Sequence, residues 1–383
     1  MKNTDEIQIS VAMCTYNGEV YIREQLESIL AQEVPVDEIV IRDDHSADQT
    51  VKIASEILSA SDVRYEITVN ESTLGFRGNF ELAIGQTHGD IIFLSDQDDV
   101  WMKEKVRIMR EHFARNPACL LVFSNADVVD ENRRRQSMDL WDSVLLKKEI
   151  TQKTDWKRLF LKGWYVTGAT MAIRRELFEM SAPFPAACYH DAWLAMRAAI
   201  AFDDSGDGTV SSNSGAEHLA GASIEAEGES KRRESCINCE LPAGVSIEAE
   251  SARLIQYRQH SGNQIGTAAS GYARFRKRVM VLKSAGSNQI EIHKQSALMY
   301  QEIWDQFADL FRHDSQFCGE LKECIQYHRE LSGLENMGFF QKLKVIARND
   351  RSHSFHRFAK TSAAMRGDLI FAFLNPRRMK KPS

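Results

Sequence analysis

The chain has no apolar run that approaches the ~18–20 residues needed to cross a bilayer. Its first residues, MKNTDEIQIS, lack the apolar segment of a secretory signal, so a cytoplasmic location is expected. Its seven cysteines (Cys14, Cys119, Cys188, Cys236, Cys239, Cys318 and Cys324) are odd in number and scattered. That pattern implies no disulfide framework and fits a reducing compartment. Cys236 and Cys239 have metal-like spacing but no matching second pair, so they read as free thiols. There is no excess of basic charge. A net charge of −6 argues against a general nucleic-acid binder. Neither Gly-x-Gly-x-x-Gly nor Gly-x-x-x-x-Gly-Lys-Ser/Thr is present. A glycine cradle for phosphate is thereby excluded, which makes a metal ion more necessary for any phosphate-bearing ligand.

What is present is globular. Hydrophobic residues make up 43% and charged residues 27% of 383 positions, enough for two or three units. Residues 7–102 alternate as β-α-β-α-β. Strands are expected at Ile7–Met13, Glu38–Ile41, Arg64–Val69 and Ile91–Ser95, with helices at Val20–Gln32, Asp48–Ser59 and Asn79–Gln86. The pattern predicts an α/β fold with a mostly parallel sheet flanked by helices. Further on, residues 103–115 read as a basic helix, Cys119–Phe123 as a strand, and Trp164–Ile173 as a strand containing a glycine.

Residues 203–245 change character. Asp, Gly, Ser, Ala and Glu dominate, which reads as a flexible insertion. It holds a near-duplication, ASIEAE at 222–227 and VSIEAE at 245–250, of which one copy reads as a true strand. Regular patterning resumes at Arg253–His260, and the chain is helical and basic from Tyr272 onward. Segments 272–283 and 371–381 mix bulky apolar and basic residues, as an interfacial helix on anionic lipid would.

The chemistry concentrates at strand ends. Ile91–Ser95 runs straight into Asp96-Gln97-Asp98-Asp99. Crowded carboxylates need compensation, and Asp-x-Asp suits a hard cation, Mg²⁺ or Mn²⁺, bridging to phosphate oxygens. Thr15-Tyr16-Asn17 and Asp43-Asp44 end two other strands of the same sheet. Three clusters converging at one edge describe a nucleotide site.

The stretches SVAMCTYNGEVYIREQLESILAQ, IVIRDDHSADQT, GDIIFLSDQDDVW, GATMAIRREL, and HDAWL with LIQYRQHSGNQIG resemble, in order, the inverting family 2 glycosyltransferases. The branch most similar is the bacterial rhamnosyltransferase-like one of surface-polysaccharide assembly. The resemblance covers roughly 7–265. It implies a GT-A-type nucleotide-diphospho-sugar transferase domain over 1–265, with a helical region over 266–383 for acceptor or membrane contact. It implies that Thr15, Tyr16, Asn17, Asp43 and Asp44 contact the base and ribose of the donor, with Arg77 and Asn79 facing it. Asp96 and Asp98 form the Asp-x-Asp pair, Asp96 toward ribose or metal and Asp98 on the metal, with His260 near the metal or diphosphate. Asp99 is left between metal binding and holding the loop.

By the same resemblance Asp191 is the general base, which must come within ~3 Å of the acceptor hydroxyl. Trp101 and Trp193 are expected to stack on acceptor sugars. The donor is dTDP-rhamnose or a UDP-sugar. The acceptor is a glycan or a lipid-linked molecule at the inner face of the plasma membrane, with nucleic acid excluded. The insertion between HDAWL and YRQH departs from the family pattern, where that stretch is short. Two rivals remain at this point: a nucleotidyltransferase on a related sheet, and a non-catalytic nucleotide-sugar-binding protein.

Overall fold

The computed structural model describes residues 7–201 (less 145, 147, 148, 151–153 and 187), 247–260, 290–308 (less 291) and 314–358 (less 335, 336, 338, 352 and 353). The insertion at 203–245, Cys236 and Cys239, and the basic segments 272–283 and 371–381 lie outside these residues.

Among the described residues nine strands form one sheet: β1 (Ile9–Thr15), β2 (Glu38–Asp43), β3 (Arg64–Val69), β4 (Ile91–Ser95), β5 (Val100–Trp101), β6 (Leu121–Asp130), β7 (Arg135–Asp139), β8 (Met171–Arg174) and β9 (Ile247–Gln259). Their order is β3-β2-β1-β4-β8-β6-β9-β5, with β7 added on β6. The first four neighbours are parallel, and β8 and β5 enter antiparallel. Every residue of β1 and β4 is buried, which is why both read as mostly apolar segments.

Register positions the site. Thr15 pairs with Asp43 across β1 and β2, and Met13 with Ser95 across β1 and β4. The residues that follow each strand, Tyr16-Asn17, Asp44 and Asp96–Asp99, therefore leave the sheet at one edge, the carboxyl edge of its parallel strands.

Helices cover both faces. On one side α1 (Ile22–Leu30), α2 (Thr50–Ser59) and α4 (Lys105–Arg115) bury Ile22, Leu26, Leu58, Val106 and Phe113 against β1, β2 and β4. The other side carries α3 (Gly75–Gln86), α5 (Leu140–Ser143), α6 (Trp156–Leu161), α7 (Arg175–Ser181) and α8 (His190–Ala201). Asp191 is the only residue of α8 that is not buried, so this helix is enclosed on every side. Its outer cover is the C-terminal layer: α9 (292–307), α10 (Ser315–Ser332), α11 (Phe339–Arg351) and α12 (Ser354–Phe358). Tyr300 donates to the Phe160 carbonyl at 2.6 Å, the Trp193 and Phe307 rings lie 5.6 Å apart, and Phe317 and Leu321 join the same core. Among the described residues no helix is long and apolar enough to cross a membrane.

One expectation changes and one is met. Trp164–Ile173 is not one strand. A single 3₁₀ turn, Gly168–Thr170, precedes the short β8, closed by the Thr170 amide on the Thr167 carbonyl at 2.9 Å. The second copy of the duplicated segment does form a strand, since Ile247–Glu250 opens β9. It is pinned to α4, where His112 meets Glu248 through Nδ1 at 2.5 Å and Glu250 through Nε2 at 2.9 Å.

Candidate functional site

The wall built by β1 and β2 is closely hydrogen-bonded. Asp43 accepts from the Thr15 hydroxyl at 2.6 Å, from the Ser46 amide at 2.7 Å and from the Ser46 hydroxyl at 2.6 Å. Asp44 accepts from Asn70 Nδ2 at 2.8 Å and from the amides of Leu74 and Gly75, at 2.7 and 2.9 Å, at the start of α3. Both carboxylates are buried, and each has about one acceptor position left for a ligand. Asn17 takes a positive φ of 47°, accepts from the Ala47 amide and donates its own amide to Ser46 Oγ. Tyr16 keeps 45% of its surface exposed beside this wall. Asn79 does not face a ligand. It is buried, donates to the Arg42 carbonyl at 2.8 Å and accepts from Asn70 at 2.8 Å, so its amide is consumed in holding β2 to α3.

The acidic loop between β4 and β5 is gripped by residues that the sequence did not single out. Gln97, between the two acids, bonds the main chain of Tyr16. Arg258, on β9 and only 3% exposed, donates Nε to the Asp98 carbonyl at 2.7 Å and its amide to Asp99 Oδ1 at 2.9 Å. The same guanidinium bonds Glu24 and lies over the Tyr21 ring at 4.7 Å. Two residues on, His260 Nε2 meets Asp98 Oδ2 at 2.8 Å, and its ring packs on Tyr21 at 4.6 Å. Lys105 is fully buried beneath the loop. Burial brings its amine down to about 7 against the opposing pull of Asp99 and Asp96.

Asp191 lies in the first turn of α8. Its Oδ2 accepts from the Gly168 amide at 3.2 Å and its Oδ1 from the Ala192 amide at 2.7 Å. His190 stacks on Phe80 at 4.0 Å, and its Nε2 occupies the space a side chain at 168 would need, 2.6 Å from that Cβ position. Arg77 lies over the Tyr189 ring at 4.4 Å and donates to the Ala186 carbonyl at 3.1 Å. Trp101 and Trp193 are core residues, 3% and 0% exposed. Phe93 and the Lys105 amine cover Trp101, while Trp193 donates Nε1 to the Ser181 carbonyl at 2.8 Å. Neither leaves a face for a sugar, which corrects the acceptor role expected of them.

The two halves share one field. Burial, then Asp98 and Asp191, raise the Asp96 carboxyl, although the side chain keeps part of its surface open to solvent. Asp99 is raised by burial and by the same loop acids, and its Oδ2 has no hydrogen-bond partner among the described residues. Burial raises the Tyr257 phenol, and so do Asp99, Asp96, Asp98 and Asp191 together. Asp191 therefore stands within electrostatic range of the acidic loop.

This crowding fits a divalent cation. Crowded, buried carboxylates are what a bound cation would compensate, and the Asp98–His260 contact joins an oxygen and a nitrogen donor. Among the described residues no three acidic, histidine or cysteine side chains form a ready cage. Such a cation would draw its other ligands from a bound diphosphate and water.

Residues 10–180 match the family model described as Glycosyl transferase family 2. Over 124 residues the chain is 36% identical to a Shigella flexneri protein described as dTDP-rhamnosyl transferase RfbG, covering 31% of this chain and 40% of that protein. Over 193 residues it is 26% identical to the Escherichia coli UDP-Glc:alpha-D-GlcNAc-diphosphoundecaprenol beta-1,3-glucosyltransferase WfgD, covering 50% of this chain and 70% of that protein. The chain thus spans about two fifths of the length of the first relative and more than two thirds of the second. Among solved structures it is similar to S. aureus TarS 1-349 in complex with UDP-GlcNAc, at 16% identity and a TM-score of 0.49, covering 96% of this chain and 90% of that one.

Proposed function

We propose that this chain, whose residues 10–180 match the Glycosyl transferase family 2 model, moves a sugar from a pyrimidine-nucleotide diphosphate donor to an acceptor hydroxyl with inversion. The observation that carries this reading is the link between the two halves: Lys105, next to the acidic loop, bonds the Gly168–Thr170 turn whose Gly168 amide holds Asp191, while Thr15 and Asp43 pair at the sheet edge that the loop leaves. A general base and a diphosphate site on one cleft are what a single displacement needs.

Thr15, Tyr16, Asn17, Asp43 and Asp44 take the base and ribose, with the exposed Tyr16 ring available to the base. Asp96 turns toward the ribose or the diphosphate. A divalent cation, Mg²⁺ or Mn²⁺, held by Asp98 and His260 would offset charge growing on the leaving diphosphate. Asp191 accepts the proton of the attacking hydroxyl, and the amides of Gly168 and Ala192 fix its orientation as that proton arrives. Attack from the face opposite the diphosphate inverts the anomeric carbon. Arg258 and Gln97 hold the loop in place and need not touch the donor.

The names of the two relatives favour dTDP-rhamnose or a UDP-sugar as donor, and a lipid-diphosphate-linked glycan as acceptor. We read the reaction as a step of surface-polysaccharide assembly, at the cytoplasmic face of the membrane that holds the acceptor, a reading those names support. The transferase unit would run over 1–265, with the helices of 266–383 supporting α8 and the acceptor side. A thermal-shift screen of nucleotide sugars with and without Mn²⁺ tests this. The matching donor stabilises the fold by about 2.7 kcal/mol at a hundredfold excess over Kd, and Mn²⁺ enlarges the shift. Equal indifference to dTDP- and UDP-sugars with Mn²⁺ present contradicts it.

A further inference from the structure

We propose that Lys105 is a positioning residue that fixes the acidic loop relative to Asp191, and so sets the distance between the donor and the base. This rests on the reading of Asp191 as the base.

Lys105 opens α4, four residues beyond Trp101 and the end of the acidic loop. It is fully buried, its Nζ donates to the Ala169 carbonyl at 2.9 Å, and the same ammonium sits 3.9 Å from the centre of the Trp101 ring. Ala169 is the middle residue of the Gly168–Thr170 turn. The amide one residue earlier donates to Asp191 at 3.2 Å. One short path therefore runs from the acidic loop through Trp101 and Lys105 into the turn, and from the turn to the carboxylate that takes the proton. The turn cannot drift toward α8, because the His190 ring fills the space beside Gly168.

Burying an ammonium costs several kcal/mol unless charge and hydrogen bonds offset it. A leucine or methionine would fill the same space without that cost. The partners here are the Ala169 carbonyl and the Trp101 ring, with Asp99 and Asp96 opposing the effect of burial. Lys105 thus packs on Trp101 at the donor half and hydrogen-bonds the turn at the base half. A shift of about 1 Å between donor and base is enough to slow a displacement on the order of a hundredfold.

The test is Lys105→Met in the full chain, which keeps the packing volume and removes both links. The expected result is a split: kcat falls about tenfold or more while donor KM stays within about threefold, because the β1–β2 wall that binds base and ribose does not involve Lys105. Lys105→Gln, shorter and neutral but still a donor, is the second variant. It should fold where Met does not, and it should show the same split with a smaller loss of kcat. A soluble variant whose kcat per folded molecule matches wild type, with only its melting temperature lowered, overturns the proposal. So does a loss that falls wholly on donor KM. Asp191→Asn run alongside separates the two readings. If it keeps transfer, the base assignment fails. If it abolishes transfer while both Lys105 variants keep full kcat, only the positioning role fails.

Discussion

The side-chain amide of Gln97 pairs with the main chain of Tyr16 in both directions, accepting from its N–H at 2.8 Å and donating to its carbonyl at 2.9 Å. Gln97 is the variable position of Asp-x-Asp, yet it ties the acidic loop to the β1 loop that carries the donor wall. The fit leaves no room at Gly18, where a Cβ would meet Gln97 Oε1 at 2.1 Å. Gln97→Ala should raise donor KM about tenfold, the equivalent of one or two hydrogen bonds, with a much smaller change in kcat. Steady-state kinetics at saturating acceptor check this, and an unchanged donor KM would mean that Tyr16 is held without Gln97.

Gly168 is constrained by sterics rather than by backbone angles. A Cβ there would lie 2.6 Å from His190 Nε2, inside a stacked and buried ring that has little freedom to yield. Gly168→Ala should cost about 1–3 kcal/mol, as overpacking does. It should also lower kcat, because the displaced amide is the one that Asp191 accepts. Denaturation and kinetics on one preparation test both; a loss of stability alone would separate the turn from the chemistry.

The clamp of His112 between Glu248 and Glu250 gives stability a defined pH dependence. Its hydrogen bond to Glu248 raises the imidazole above its ordinary value, against burial and with help from Glu250. That contribution is full below the unfolded histidine value, about 6.5, and is lost as pH rises through the folded one. Glu248 is lowered, chiefly by His112, and Glu250 is lowered because bonds from Ala252 and His112 outweigh burial. Their contribution is full above about 4.3 and is lost as pH falls through the folded values. The clamp is strongest between those limits. His112→Gln should therefore lower the melting temperature more at pH 6 than at pH 9, and an equal drop at both would show that the imidazolium charge contributes nothing.

Asp98 and His260 lie 162 positions apart in sequence and are joined at 2.8 Å. Asp98→Asn and His260→Gln should each raise the Mn²⁺ concentration needed for half-maximal transfer at least about tenfold. Titration of Mn²⁺ against initial rate measures this. A Mn²⁺ curve unmoved in both variants would place the cation elsewhere.

The parallel half of the sheet was legible because strands buried on both faces are mostly apolar, as Ile9–Thr15 and Ile91–Ser95 are. The strand-end acids were legible for the same reason, since a run that stops at a carboxylate marks an edge. The Gly168–Thr170 turn was not, because GATMAI has the composition of a strand and only its packing against His190 makes it a turn. Trp101 and Trp193 misled because an aromatic beside an acidic motif suits a sugar platform and a core equally; burial decides, and burial is tertiary. Lys105 was hidden among the several basic residues of its helix, and Arg258 in a strand whose register partner, Val129, lies 129 residues earlier, so no local pattern marks either one.

Asp191→Asn, assayed for donor binding by calorimetry and for sugar transfer on the same sample, is the most direct test of the account. Asparagine keeps the shape and can still accept from one of the Gly168 and Ala192 amides through its single carbonyl oxygen, but it cannot take a proton. The account predicts donor affinity within about threefold of wild type and transfer reduced by about a hundredfold or more. Transfer that survives the substitution would contradict it.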